Sequence, residues 1–317
     1  MAAYRFGTCE YCFPVWGSFA LEMAHLAGFQ GIQITDGGGY LQPHPKNNGF
    51  VEYERFGLDL RRKDSFPLTD PRVQEEYLET AERLGLELTG ISLYLLDHQG
   101  FVKFASSTPQ GQQCLETIRN AVTAAAQMRI PSVSIPLSGL FGAGQHAYAL
   151  EKVQYAAQVG EEHGVQILVS ADLDLEKQQR VLDALDGRVK LDFGAIEPAL
   201  SANGQGADML RAFGKEALGH LRVRDMTGDS EGFLTREEGH PALLGKGTAG
   251  FYDWASAARE IGWSGWVVSE TPYYSTELNR DGQDWVSLAS QDLTALKQAF
   301  HTDERRESHG EISICGL

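Results

Sequence analysis

No apolar run in this sequence approaches the roughly 18 residues that a membrane helix needs, and residues 1 to 30 hold no uninterrupted apolar core behind a basic start. Neither a membrane span nor a secretory leader is expected, and the expected setting is cytoplasmic. Positive charge is also scarce: 27 Lys and Arg stand against 43 Asp and Glu, a formal net charge of -16. Such a balance repels phosphate backbones and anionic lipid, so no nucleic acid and no membrane surface is expected as a partner. Cysteine is sparse, with 4 residues in 317, too few for a disulfide framework and consistent with a reducing compartment. Cys9-Glu-Tyr-Cys12 forms a C-x-x-C pair, open to two readings: a redox dithiol or half of a zinc site, or two small buried residues at a strand end. No G-x-x-x-x-G-K-[ST] phosphate loop occurs, and Gly37-Gly-Gly39 lacks the spacing of a dinucleotide fingerprint.

What is present is enough apolar content, 42%, for one large domain. Short β-branched runs alternate with longer amphipathic stretches, the pattern of a parallel sheet wrapped by helices. Eight strands are expected: Tyr4–Cys9, Gly31–Thr35, Glu87–Tyr94, Ser132–Pro136, Val165–Ser170, Val189–Asp192, Leu218–Arg224 and Gly265–Ser269. Helices are expected near Phe19–Ala27, Pro71–Leu84, Gln110–Met128, Ala147–His163, Leu175–Leu185, Ala207–Ala217, Tyr252–Ile261 and Asp284–Phe300. Asp70-Pro71 and Thr108-Pro109 supply capped helix starts, and Gly85, Gly164 and Gly262 supply helix stops. Eight βα units with short links predict a single (β/α)8 TIM barrel over residues 1–300. The stretch Gly37–Asp64 is too long for an ordinary link and is expected to cover the barrel mouth; the polar residues 301–317 are expected to form a mobile tail.

In such a barrel chemistry sits at the carboxyl ends of the strands. Asp192 ends the sixth strand, where it is either functional or a local cap. Glu270 ends the eighth in apolar surroundings, where a carboxylate is costly unless paired or metal-bound. His220, Arg222 and Arg224 alternate along the seventh and share one face. If that face points inward, the three demand anionic partners such as Asp192, Glu270 or substrate; if outward, they form a solvated stripe. Tyr11, Trp16, Tyr94, Tyr273 and Tyr274 lie near strand ends, where aromatic rings stack on sugars or simply pack.

Three strings carry a family resemblance: Gly219-His-Leu-Arg-Val-Arg-Asp225, Leu244-Gly-Lys-Gly-Thr-Ala-Gly-Phe251, and Gly262-Trp-Ser-Gly-Trp-Val-Val-Ser-Glu270. Together they resemble the last two strands of sugar phosphate isomerases and epimerases of the xylose isomerase-like superfamily. The resemblance implies a divalent metal, Mn or Mg, held by a Glu from strand five, an Asp from strand six, a His from strand seven and a Glu from strand eight. Asp192 and Glu270 match two of these. Ser170 stands where the first Glu is expected and Arg222 where the His is expected, so the metal site is altered. Either a metal survives on Asp192, Glu270, His220 and Asp172, or a guanidinium, which has no lone pair to donate, takes the ion's place between the carboxylates.

The leading expectation is a sugar or sugar-phosphate isomerase/epimerase-like enzyme that moves a proton next to a carbonyl. Glu270, Arg222 and His220 are its expected catalytic groups, with Arg224, Tyr94 and Trp16 contacting a small carbohydrate or sugar phosphate. The alternative is a catalytically silent carbohydrate-binding barrel or a non-catalytic subunit of a sugar-processing complex. Endonuclease IV shares the barrel, but its His-rich metal cluster and basic surface have no counterpart in nine scattered histidines on an acidic background. A homo-oligomer is left open.

Overall fold

The short apolar runs form strands where expected and the amphipathic stretches wrap them. The computed structural model describes residues 4–35, 66–93, 96, 99–137, 145–170, 175–194, 205–227, 240–275, 277–279 and 282–300. In chain order the strands are β1 (Arg5–Cys9), β2 (Gly31–Thr35), β3 (Glu87–Ser92), β4 (Ser132–Pro136), β5 (Gln166–Ser170), β6 (Lys190–Gly194), β7 (Leu218–Val223), β8 (Asp225–Thr227), β9 (His240–Ala242) and β10 (Trp266–Ser269). The helices are α1 (Ser18–Ala27), α2 (Pro71–Leu84), α3 (Pro109–Met128), α4 (Gln145–His163), α5 (Leu175–Ala184), α6 (Gln205–Phe213), α7 (Phe251–Glu260) and α8 (Trp285–Phe300). Eight strands close into a barrel in the order β1, β10, β7, β6, β5, β4, β3, β2, each pair parallel. The chain is therefore a closed α/β TIM barrel.

Helix boundaries follow the local signals. The Asp70 side chain accepts the N–H of Arg72, and the Thr108 hydroxyl accepts that of Gly111, so one orphan donor is met at each proline-led start. Gly85 closes α2 at φ 65°, a left-handed position that costs glycine nothing. Two strand ends fall short of expectation: β3 stops at Ser92 rather than Tyr94, and β7 at Val223 rather than Arg224. The sequence pattern also missed an antiparallel ribbon of β8 and β9, whose pairs run Asp225 with Ala242, Met226 with Pro241 and Thr227 with His240. Three-residue strands are too short to show a period.

The floor of the barrel is packed by Trp266. Gly31 permits it: a Cβ there would stand 2.5 Å from the indole Cη2 and 2.9 Å from the Glu87 carbonyl. The Arg5 guanidinium covers the same indole, 4.3 Å from the ring centroid, and pairs with Glu87 at 2.7 Å. Higher in the barrel the interior turns polar, and there the charged residues meet.

Candidate active site

The inward face of β7 carries the cluster. Arg222 is paired with Gly194 on β6 and Val268 on β10, so its side chain is aimed from a strand fixed on both sides. His220, Arg222 and Asp192 are 3%, 3% and 1% exposed, and Glu270 is 8% exposed. The face therefore points inward, and the solvated-stripe alternative is removed.

Each nitrogen of the Arg222 guanidinium meets a different strand tip. Nε lies 3.1 Å from Oδ1 of Asp192 on β6. Nη1 donates to Oε1 of Glu270, just past β10, at 2.7 Å. Nη2 donates to the Ser170 hydroxyl at the end of β5. The hydroxyl of Tyr11 donates to the same Glu270 oxygen and accepts from Nη1 at 3.2 Å. Glu270 itself is anchored through its backbone N–H, which donates to the Val223 carbonyl at 2.9 Å.

Asp192 is oriented from its other side. Its Oδ2 accepts from the Ser134 hydroxyl at 2.5 Å and from Gln33 Nε2 at 3.2 Å, while Oδ1 is buried and accepts no hydrogen bond from the described residues. Burial pushes the carboxyl upward, but Arg222 and then His220, with the Ser134 and Gln33 bonds, outweigh it and hold Asp192 below its ordinary range. It is ionised at neutral pH. His220 lies one layer deeper, with Nδ1 3.9 Å from Asp192 Oδ1 and a ring bond to the Thr89 backbone. Burial lowers its pKa more than Asp192 raises it, so the ring is neutral at neutral pH.

His220 also lines a cleft of about 500 Å³, but this cleft is formed by the first residues of β4, β5, β6, β7 and β10. It opens at the amino-terminal end, away from the strand tips where barrel chemistry is placed. The polar cluster, not the cleft, marks the candidate active site.

Several positioning residues were not legible beforehand. Glu10, fully buried in a 3-10 turn after β1, accepts the N–H groups of Gly17 and Thr35, each at 2.7 Å, the Thr35 hydroxyl at 2.9 Å and the Tyr77 hydroxyl at 2.5 Å. It thereby ties β1, β2 and α2 beneath Tyr11. Asp225 accepts four backbone N–H groups, those of Met226, Gly245, Gly247 and Ala249, so the Leu244–Phe251 loop is wound around one carboxylate. Asp292 on α8 accepts the N–H of Leu244 and the hydroxyls of Ser269 and Tyr273, gripping the chain on either side of Glu270.

The C-x-x-C pair is a buried structural element. Cys9 donates to Gln33 Oε1 at 3.4 Å and Cys12 to the Ser269 carbonyl at 3.7 Å. Burial pushes the Cys9 thiol well up, the opposite of what a reactive thiolate needs. Among the aromatics, Trp16 packs into the hydrophobic core, Tyr273 is fully buried on Asp292, and Tyr274 is 36% exposed. Arg224 is half-buried just past β7. Tyr94, Asp172, Gly37–Asp64 and 301–317 lie outside the described residues.

The sequence matches, over residues 21–299, the family described as the xylose isomerase-like TIM barrel. The chain belongs to this family. No curated protein sequence matches it. Solved barrels of the same fold include D-allulose 3-epimerase from Methylomonas sp., 16% identical with a TM-score of 0.64 over 94% of this chain and 99% of that one. An IOLI protein crystallised with a bound zinc atom is 13% identical, with a TM-score of 0.67 over 94% and 98% of the two chains. The 3-keto-D-glucoside 4-epimerase of E. coli is 16% identical, with a TM-score of 0.62 over 93% and 99%. At these identities the likeness is one of fold.

Among the described residues no group of three or more His, Cys, Asp or Glu side chains is placed to hold an ion, and the point where Ser170, Asp192 and Glu270 converge is filled by a cation that donates no lone pair. No helix in the described residues is long and apolar enough to cross a membrane.

Proposed function

We propose that this barrel is a sugar isomerase or epimerase-type enzyme that moves a proton next to a carbonyl without a metal ion. The observation that carries this is the ion pair of Glu270 with Arg222, at 2.7 Å, at the carboxyl end of a barrel belonging to the xylose isomerase-like family. Glu270 removes the proton from the carbon beside the carbonyl and returns it to the neighbouring carbon. In that step the negative charge passes from the carboxylate to the substrate oxygen, and Arg222 lies beside the charge throughout. Tyr11, bonded to both, fixes the carboxylate's direction.

The replaced positions limit the chemistry. Ser170 offers no second carboxylate from β5, and a serine hydroxyl is no base at neutral pH without an activating partner. One-base transfer on a single face of the substrate is therefore favoured over two-base inversion. The metal version of the site needs Asp172 to join Asp192, Glu270 and His220, yet His220 is turned to Thr89 and set 3.9 Å from Asp192.

The same Ser170 observation favours a second reading, a carbohydrate-binding barrel without turnover. One assay separates them: purified protein is incubated with a panel of ketoses, aldoses and their phosphates in buffer containing a chelator, and products are resolved by chromatography. Product formation that falls by about 10²- to 10⁴-fold in Glu270→Gln supports the enzyme. Saturable sugar binding with no product from any panel member supports the binding barrel.

A further inference from the structure

Half of the negative charge at the strand tips is offset by a side chain. Arg222 directs Nε to Asp192 on β6, Nη1 to Glu270 past β10 and Nη2 to Ser170 on β5. Its planar fork thus fills the point on which three strand tips converge. Two carboxylates against one guanidinium leave the cluster with one net negative charge. An ion entering here would have to displace a buried cation and break both of its ion pairs, and breaking a buried pair is strongly unfavourable because it leaves an uncompensated buried charge.

A second observation lies on Asp192. Ser134 and Gln33 both bind Oδ2, which leaves Oδ1 buried, without a hydrogen-bond donor among the described residues, and turned to the Arg222 ion pair. An oxygen held in this way is a preoriented cation ligand whose supporting bonds are already made. Arg222 itself projects from a residue paired on both sides, so a shorter side chain at that position keeps its direction toward the same point.

We infer that Arg222 is the resident cation of this site, and that beneath it lies a latent divalent-cation site which substitution of Arg222 and Ser170 uncovers. Arg222→His removes the positive charge and supplies an imidazole nitrogen. Ser170→Glu supplies a third carboxylate. With Asp192 and Glu270 they form a nitrogen and oxygen set suited to Mn, Co or Zn. The inference rests on the geometry of the cluster and stands whether or not the barrel turns over a sugar.

The test uses no activity. Wild type, Arg222→His, and Ser170→Glu with Arg222→His are dialysed against excess Mn²⁺, Co²⁺ or Zn²⁺, then against metal-free buffer, and their metal content is measured by mass spectrometry. Circular dichroism checks that each is folded. The expected result is no retained ion in wild type, near one per chain in the double variant, and loss of that ion when Asp192→Ala is added. Arg222→His alone is expected to bind at least about tenfold more weakly than the double variant but above wild type. Near-stoichiometric metal in wild type, lost in Asp192→Ala, overturns the resident cation. A folded double variant that retains no ion overturns the latent site. If the double variant is unfolded without metal, a rise in melting temperature on adding the ion supports the inference, and no rise overturns it. The wild-type measurement decides the resident-cation claim by itself.

Discussion

Nη1 of Arg222 lies 2.7 Å from Oε1 of Glu270, while Nε of the same guanidinium lies 3.1 Å from Oδ1 of Asp192. One buried cation therefore holds two buried carboxylates apart and neutralises half of their charge. Arg222→Met keeps the volume but leaves both acids without a counter-charge, and removing one partner of a buried pair costs about 3–5 kcal/mol. Urea denaturation at neutral pH is expected to read a loss of that size. Arg222→Lys is expected to recover part of it, because an ammonium supplies charge but not three fixed donor directions.

Asp292 makes stability depend on pH. Burial raises its carboxyl to about 6, against the opposing bonds from Thr271, Leu244, Ser269 and Tyr273. In the unfolded chain the value is about 3.9, so between these limits the folded protein keeps a proton that the unfolded chain releases. Stability from this group therefore falls as pH rises from about 4 to about 6, by on the order of 3 kcal/mol, and is level above that window. Asp292→Asn removes the titration. The stability of the variant relative to wild type is expected to improve between pH 4.5 and pH 7.5, measured by denaturation at both values, whatever fixed cost the substitution adds.

The loop around Asp225 gives a local prediction. Four backbone N–H groups end on its two oxygens, and hydrogen bonds to a charged group are each worth about 1.5–3 kcal/mol. Asp225→Ala is expected to cost at least about 3 kcal/mol. Amide exchange is expected to quicken first at Gly245, Gly247 and Ala249, ahead of the barrel strands.

Tyr11 separates positioning from stability. Its half-buried hydroxyl bonds both members of the reactive pair. Tyr11→Phe is expected to shift stability by no more than about 1 kcal/mol. Turnover number is expected to fall about tenfold or more with the Michaelis constant little changed, since a misdirected carboxylate loses rate rather than binding.

The barrel was legible in the sequence because each βα unit repeats two strong local signals, a β-branched run and a glycine or capped stop. Glu270 stood out because a carboxylate at the end of an apolar strand is costly unless paired, whereas Asp192 read equally well as a local cap and is set against Arg222 only in the folded chain. Arg222 stood out through its alternation with His220 and the matching family strings, and its guanidinium lies between Asp192 and Glu270. The remainder depends on contacts distant in sequence. Asp225 is completed by amides about twenty residues on, and Tyr11 by a carboxylate 259 positions away. Asp292 left a usable trace that was overlooked: it falls at four-residue spacing between Leu288 and Leu296, on the buried face of α8. An acid on an apolar stripe must find partners there. Glu10, between two buried cysteines, carried a similar mark.

The most direct measurement is solvent exchange at the substrate carbon. Wild type and Glu270→Gln are incubated with candidate sugars in D₂O containing a chelator, and deuterium uptake is followed by NMR and mass spectrometry. Metal-free proton transfer by Glu270 beside Arg222 predicts deuterium on the carbon adjoining the carbonyl in wild type and none above background in Glu270→Gln. Exchange that appears only after a divalent ion is added, or that persists unchanged in Glu270→Gln, would contradict it.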